Sequence, residues 1–256
     1  MLRSYGFFLK LLANPIILFN FATQIHLPMK EILHFLRQLK ANNNREWFMA
    51  HKEEYKVVQA KFNRFAEELI ARIGEYDETV RDLTVKDCTY RIYRDVRFSK
   101  DKSPYKTHFG CYVCRGGKKS GYSGYYFHIG TGDGDTYPDG HMLAAGDYCC
   151  EPKVLRTIRE DIQNGDGDFA EILQQMAPQF KLDSDFALKR VPQGFPADQP
   201  YSEYLKYKVY CAWARVDTDF ILAPDLAKRV AEMFRPTLPF LNYINRAIEY
   251  IKEEGN

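Results

Sequence analysis

The 256-residue sequence has no surplus of charge: 36 lysines and arginines stand against 34 acidic residues, leaving +2. A diffuse field able to hold nucleic acid nonspecifically is therefore excluded, and any basic function has to be local. An unbroken hydrophobic run is also missing. The apolar stretches before Met29 are interrupted by Lys10, Asn14 and Asn20, short of the roughly 20 successive apolar residues that a transmembrane helix needs, so no membrane partner is expected. No small-residue cleavage site follows them, which argues against a secretory signal. Cys111 and Cys114 have the spacing of a zinc or redox knuckle, but no second Cys/His pair stands at zinc-site distance. The adjacent Cys149 and Cys150 make a poor disulfide framework, so free thiols in a reducing, cytoplasmic compartment are expected. Neither a Walker pattern nor a dinucleotide fingerprint is present; Gly130-Thr131-Gly132 reads as a hairpin turn, with Asp133 and Asp135 a weak metal-site candidate, and no cofactor is called for. There is no internal repeat.

What is present is a core: 45% of residues are hydrophobic and 15% aromatic, enough to fill a domain of this length. The regular pattern begins at Met29, so residues 1–28 read as a mobile extension or mis-assigned start and 29–256 as a single domain. Ile32, Phe35, Leu36 and Leu39 give an amphipathic helix ending before Asn42-Asn43-Asn44. That run caps a second helix carrying Trp47 and Phe48 as core anchors, then Tyr55, Val58, Phe62, Phe65 and Leu69, with Gly74 as its stop. Period-two patterning predicts strands over 89–98, 107–114, 122–129 and 141–148, joined by links short enough for antiparallel pairing. Beyond Pro152 helices are expected to about Asn164, over 169–176, and at 202–209, 223–234 and 239–253, with 187–192 extended. Helices, strands, then helices again predict an α+β fold, an antiparallel sheet of about four or more strands covered by an N-terminal helical hairpin and C-terminal helices.

Charge concentrates between Arg91 and Thr107, where Arg91, Arg94, Arg97, Lys100, Lys102 and Lys106 face only Asp95 and Asp101. Alternation places Arg94 on an apolar face with Tyr90, Ile92, Val96 and Phe98, a position that requires pairing or an opening into a cleft. Arg94 is therefore expected to be largely buried and paired. Ser99 to Pro104 reads as a loop between two strands, its cations converging near Arg94 and Arg97.

Asn43-Asn44-Arg45-Glu46-Trp47-Phe48 with Tyr55, followed by Arg94-Asp95-Val96-Arg97-Phe98-Ser99-Lys100-Asp101-Lys102-Ser103-Pro104-Tyr105-Lys106, resembles the family catalogued as domain of unknown function 2461. The resemblance continues through Leu155-Arg156-Thr157-Ile158-Arg159, Leu188-Lys189-Arg190-Val191-Pro192-Gln193-Gly194 and Leu205-Lys206-Tyr207-Lys208. It implies a fold and a choice of residues and brings no reaction with it. The chain departs from the pattern at Ala144-Ala145-Gly146, at Tyr148 and at Gln199-Pro200.

Three functional readings compete. A phosphate-bearing ligand, whether nucleotide, nucleic-acid end or phosphorylated metabolite, would be held by Arg94, Arg97, Lys100, Lys102 and Lys106, with Tyr105 and Tyr93 stacking on a base and Asp95 and Asp101 in the same motif. Lys189, Arg190 and Lys208 would extend that basic site. A phosphoester hydrolase would use Asp95 or His128 as acid or base. An internal salt-bridge network of Arg94, Asp95, Arg97 and Asp101 would instead make the motif structural or partner-binding. His108 and His128 read individually as packing residues.

Overall fold

A computed structural model describes residues 28–165 and 168–255. The expected extension falls outside these, apart from Pro28, which opens the first helix, α1 (Pro28–Ala41). The side chain of Asn44 accepts from the backbone N–H of Trp47 and so caps α2 (Arg45–Ala50). The second expected helix is in fact divided at His51, with α3 (Lys52–Ile73) following. Steps of three and four along α3 put Tyr55, Val58, Phe62, Phe65, Leu69 and Ile73 on one buried face. A short α4 (Val85–Cys88) precedes the sheet.

Five strands pair antiparallel in the order β1-β2-β3-β5-β4: β1 (Phe109–Cys114), β2 (Gly124–Ile129), β3 (His141–Asp147), β4 (Lys181–Leu182) and β5 (Tyr210–Val216). Because strand side chains alternate, the register sorts them into two faces. One face carries the row Cys111, Phe127, Leu143, Ala214 and the row Val113, Tyr125, Ala145, Ala212. The helices cover this face. Phe62 packs on Phe109 at 5.0 Å and Phe65 on Phe127 at 4.5 Å; each ring so buried stabilises by roughly 1.5–3 kcal/mol. From the C-terminal half, α5 (Pro152–Asn164), α6 (Asp168–Gln175), α8 (Leu226–Phe234) and α9 (Leu238–Glu254) complete the layer, with the single turn α7 (Thr218–Ile221) between strand and helix. Phe234 lies against Tyr125, and Phe169 against Tyr210 and Tyr243.

The opposite face carries the row Tyr112, Tyr126, Ala144, Trp213 and the row Gly110, His128, Met142, Arg215. Tyr112, Tyr126 and Trp213 are only half-buried. Cys111 and Cys114, three apart on one strand, point to opposite faces and cannot share a metal ion.

The strand expected over 89–98 is reduced to isolated bridges, Thr89 to Cys111 and Tyr93 to Tyr105. The cause lies in its burial: of the proposed apolar face only Ile92 is buried, while Phe98 is 96% exposed, so no packed surface holds the extended register. The helix expected at 202–209 is one 3₁₀ turn, Tyr204–Lys206, and β5 follows it unforeseen. β5 has a single charged residue, Arg215, on its open face, and so shows little of the alternation that marks a half-exposed strand.

Two side chains fasten these pieces through main-chain groups. Asn43 donates to the Tyr105 carbonyl at 2.9 Å and accepts from the Tyr105 N–H at 3.1 Å. Beside this clamp the Phe48 ring stacks on Tyr105 at 3.9 Å. Phe48 is fully buried, as an anchor should be; Trp47 is half-buried and stacks on His51 at 4.0 Å. Arg159 of α5 donates to the carbonyls of Leu205 and Tyr207, both at 2.9 Å. Asn43→Ala strands both main-chain groups of Tyr105, and the expected loss is on the order of 2 kcal/mol. Urea unfolding measures it; an unchanged midpoint would show that water replaces the clamp without cost.

Candidate functional site

The motif stretch and the loop after β2 meet over the open face of the sheet. Arg94 N–H donates to the Pro104 carbonyl at 2.9 Å and Lys106 N–H to the Ile92 carbonyl at 2.8 Å, so 92–94 and 104–106 form a narrow hairpin stem. Across from it, residues 131–140 are held to α1: Arg37 donates to the Thr131 carbonyl at 2.7 Å, and Lys40 bridges Asp133 and Asp139 at 3.1 and 2.9 Å. Asp133 and Asp139 are thereby committed to an ammonium group. His128 is fully buried between the two, its Nε2 donating to the Pro138 carbonyl and its Nδ1 accepting from the Tyr126 hydroxyl, each at 3.0 Å.

Between stem and loop lies a cleft of about 670 Å³ whose walls include Lys40, Asn43, Arg94, Asp101, Lys106, His108, Tyr137 and Asp139. A second recess of about 190 Å³, lined by Tyr90, Arg91, Lys106, His108, Gly110, Tyr126 and Tyr137, shares Lys106, His108 and Tyr137 with it. The floor needs glycine at 110, since a Cβ there would lie 2.7 Å from the Tyr126 hydroxyl.

Pairing divides the cations. The Arg94 side chain is 25% exposed, less buried than its expected place on an apolar face required, yet it is paired as expected: its guanidinium donates to Asp101 and Ser103, and to Ser99 at 3.3 Å. The Ser103 hydroxyl and N–H, with Arg94, hold the Asp101 carboxyl well below the usual carboxylate range. Arg97 is turned away from the cleft and forked onto Asp95 at 3.0 and 2.6 Å. Lys102 reaches the Val96 carbonyl at 3.0 Å, and Lys100 is exposed. The convergence expected of these cations therefore fails: Arg94 and Lys106 line the cleft, while Arg97, Lys100 and Lys102 sit on the loop beyond its rim, because Asp95 and the Val96 carbonyl are nearer partners. Lys189, Arg190 and Lys208 are exposed on a separate ladder, in which Leu188 N–H donates to the Lys206 carbonyl and Lys208 N–H to Phe186. Asp95 lines the cleft and is held by Arg97; Tyr105 is buried in its wall, and Tyr93 is half-exposed beside it at 5.5 Å.

Among the described residues, Arg91 and Lys106 have no carboxylate partner. Burial first, and then the charge of Arg91, pull the Lys106 pKa down. His108, at the junction of the two recesses, has a buried Nδ1 with no partner, and burial, His128, Lys106 and Arg94 push its pKa down to about 3. It is uncharged at neutral pH. Sequence reasoning missed Lys40, His108 and Tyr137 as wall residues. The only signal was adjacency: His108 follows the basic stretch by two positions, and Tyr137 ends the glycine-rich loop.

The family model described as conserved hypothetical protein (DUF2461) matches residues 31–243. The chain belongs to this family. The parts just described fall inside the matched span: Asn43 with Tyr105, Arg94 with Asp101 and Ser103, Arg159 with the 205–207 carbonyls. No curated protein and no solved structure matches the chain. Among the described residues no helix is long and apolar enough to cross a membrane, and no cluster of three or more His, Cys, Asp or Glu is placed to hold a metal ion.

Two outcomes test this geometry. Arg94→Met removes the contacts that pin the 95–102 loop without touching the core, so the melting temperature should hardly move while tryptic cleavage at Arg97, Lys100 and Lys102 accelerates severalfold; unchanged cleavage would show that the loop holds its shape unaided. Burial pushes the His128 pKa down from 6.5 to about 4, so the unfolded chain takes up the proton first as the medium is acidified. Its contribution is complete above pH 6.5 and is lost as pH falls from there to about 4, on the order of 2 kcal/mol at pH 5. His108 and His141, also depressed by burial, titrate over the same window, so His128→Asn should make the stability profile less steep there without levelling it, and an equally steep profile in the variant would contradict the buried neutral imidazole.

Proposed function

We propose that the protein binds a phosphate-bearing ligand in this cleft. The observation that carries the reading is the pairing state of the cations: Arg91 and Lys106 share one recess, repel each other, and lack a carboxylate among the described residues, whereas Arg94 and Lys40 are neutralised by Asp101 and Asp139. An entering anion offsets that repulsion and raises the Lys106 pKa. The Arg91 fork suits two phosphate oxygens and the Lys106 ammonium adds a mobile point charge. Tyr90, Tyr126 and Tyr137 supply ring surface for an organic moiety. In this reading Lys106 contacts the ligand, Arg94, Asp95 and Asp101 shape the rim, and His108 offers a neutral nitrogen.

The acid/base alternative gains no support from side-chain placement, since both His128 nitrogens are engaged and Asp95 is held by Arg97. A thermal-shift screen of inorganic phosphate, nucleotides and sugar phosphates, followed by titration, tests binding. Each charged hydrogen bond contributes about 1.5–3 kcal/mol, so Lys106→Ala and Arg91→Ala should each weaken a hit by roughly tenfold or more, and Lys61→Ala on α3 should not. If no phosphate compound stabilises the protein, or if hits bind both variants like the wild type, the reading is wrong.

A further inference from the structure

Beyond the cleft rim the molecule displays something that a small phosphate ligand does not use. Phe98 is 96% exposed at the tip of the 95–102 loop, with Arg97 placed over its ring at 5.9 Å and Lys100 and Lys102 on the same loop. An apolar ring in water gains nothing from folding, and this loop is not loose: Ser99, Asp101 and Ser103 are tied to Arg94, and Lys102 to the Val96 carbonyl. The shape that throws Phe98 outward is thus built in advance, which lowers the ordering cost of any contact made there. Exposed aromatic rings also gather on this side of the molecule. Tyr90 and Tyr137 line the recess, Tyr93 lies 5.5 Å from Tyr105, and Tyr148 stands edge-on to Trp213 at 5.6 Å on the open sheet face.

We propose that the ligand is a single-stranded nucleic acid, its terminal phosphate held by Arg91 and Lys106 and its next nucleotides running out over the loop to stack on Phe98. The proposal rests on the cleft reading and names its substrate class. Arg94, Asp95, Asp101 and Ser103 belong to both the cleft wall and the loop, so a chain leaving the cleft on that side crosses the loop. Alternating cations and ring faces suit a strand whose bases are unpaired, because stacking on a side chain needs a free base face, which a duplex withholds. The overall charge of +2 fits a short tract with few phosphate contacts, and a salt slope of about −0.7 per phosphate contacted follows.

The test is anisotropy titration of the full chain with fluorescein-labelled oligodeoxythymidylates from one to twelve nucleotides and with a duplex of twelve base pairs, using wild type, Phe98→Ala and Lys106→Ala. Affinity should rise with length and then level off, the duplex should bind more weakly than the single strand, and Phe98→Ala should cost the longer oligomers about tenfold while leaving the mononucleotide unaffected. Lys106→Ala should weaken both. If the mononucleotide binds as tightly as the oligomers, or Phe98→Ala leaves oligomer affinity unchanged, this proposal falls and the cleft reading stands. If oligomers bind equally well to Lys106→Ala and wild type, or no oligomer binds, this proposal falls, and the cleft reading then stands or falls on the thermal-shift screen of phosphate and sugar phosphates.

Discussion

The arrangement over the open sheet face depends on one side-chain amide. Asn43 meets both main-chain groups of Tyr105, donating to one and accepting from the other, and so does for an irregular segment what a neighbouring strand does in a ladder. With Tyr105 fixed, Phe48 stacks on its ring, the 92–94 segment pairs against 104–106, and Lys106 and His108 are delivered to the cleft. Arg159 performs the same service at the other end of the sheet by holding the carbonyls that lead into β5. Long polar side chains reaching across sequence to bare carbonyls are how this chain orders stretches too irregular to form sheet.

Much of this was legible in the sequence, and the pattern of success follows from burial. The periodicity of α1 and α3 survives because one face of each is packed and the other wet, and β1 to β3 were found close to their true ends. The reading failed where burial did not follow period. Residues 89–98 alternate like a strand, but with Ile92 alone buried the alternation has no core to serve. β5 has one covered face and one that opens at Trp213 and Arg215, but Arg215 is the only charged residue in Tyr-Cys-Ala-Trp-Ala-Arg-Val, too little alternation to read. The basic motif was visible as charge, while its division into paired and unpaired cations depended on Asp95, Asp101 and Asp139 lying at hydrogen-bond distance, which spacing alone does not reveal.

That division bears on how a nearly neutral protein keeps a local potential. Ion pairs on a surface contribute little stability, and Arg94 with Asp101, like Lys40 with Asp133 and Asp139, serves mainly to set the course of a loop. Neutral histidines fill the space beneath without adding charge, since burial holds His108 and His128 unprotonated. Of the described cations that line the two recesses, Arg91 and Lys106 are the ones left without a carboxylate.

The sheet also ends in two unusual margins. On one side lies β4, only two residues long; on the other, β1 is flanked by a segment that touches it through the single bridge from Thr89 to Cys111. A regular outer strand would present a row of unpaired N–H and C=O groups on which another sheet could be templated. Here one margin is too short to nucleate such growth and the other is masked by a segment with no ladder of its own. Both margins of the sheet therefore offer little regular template for a further strand beside the apolar central strands.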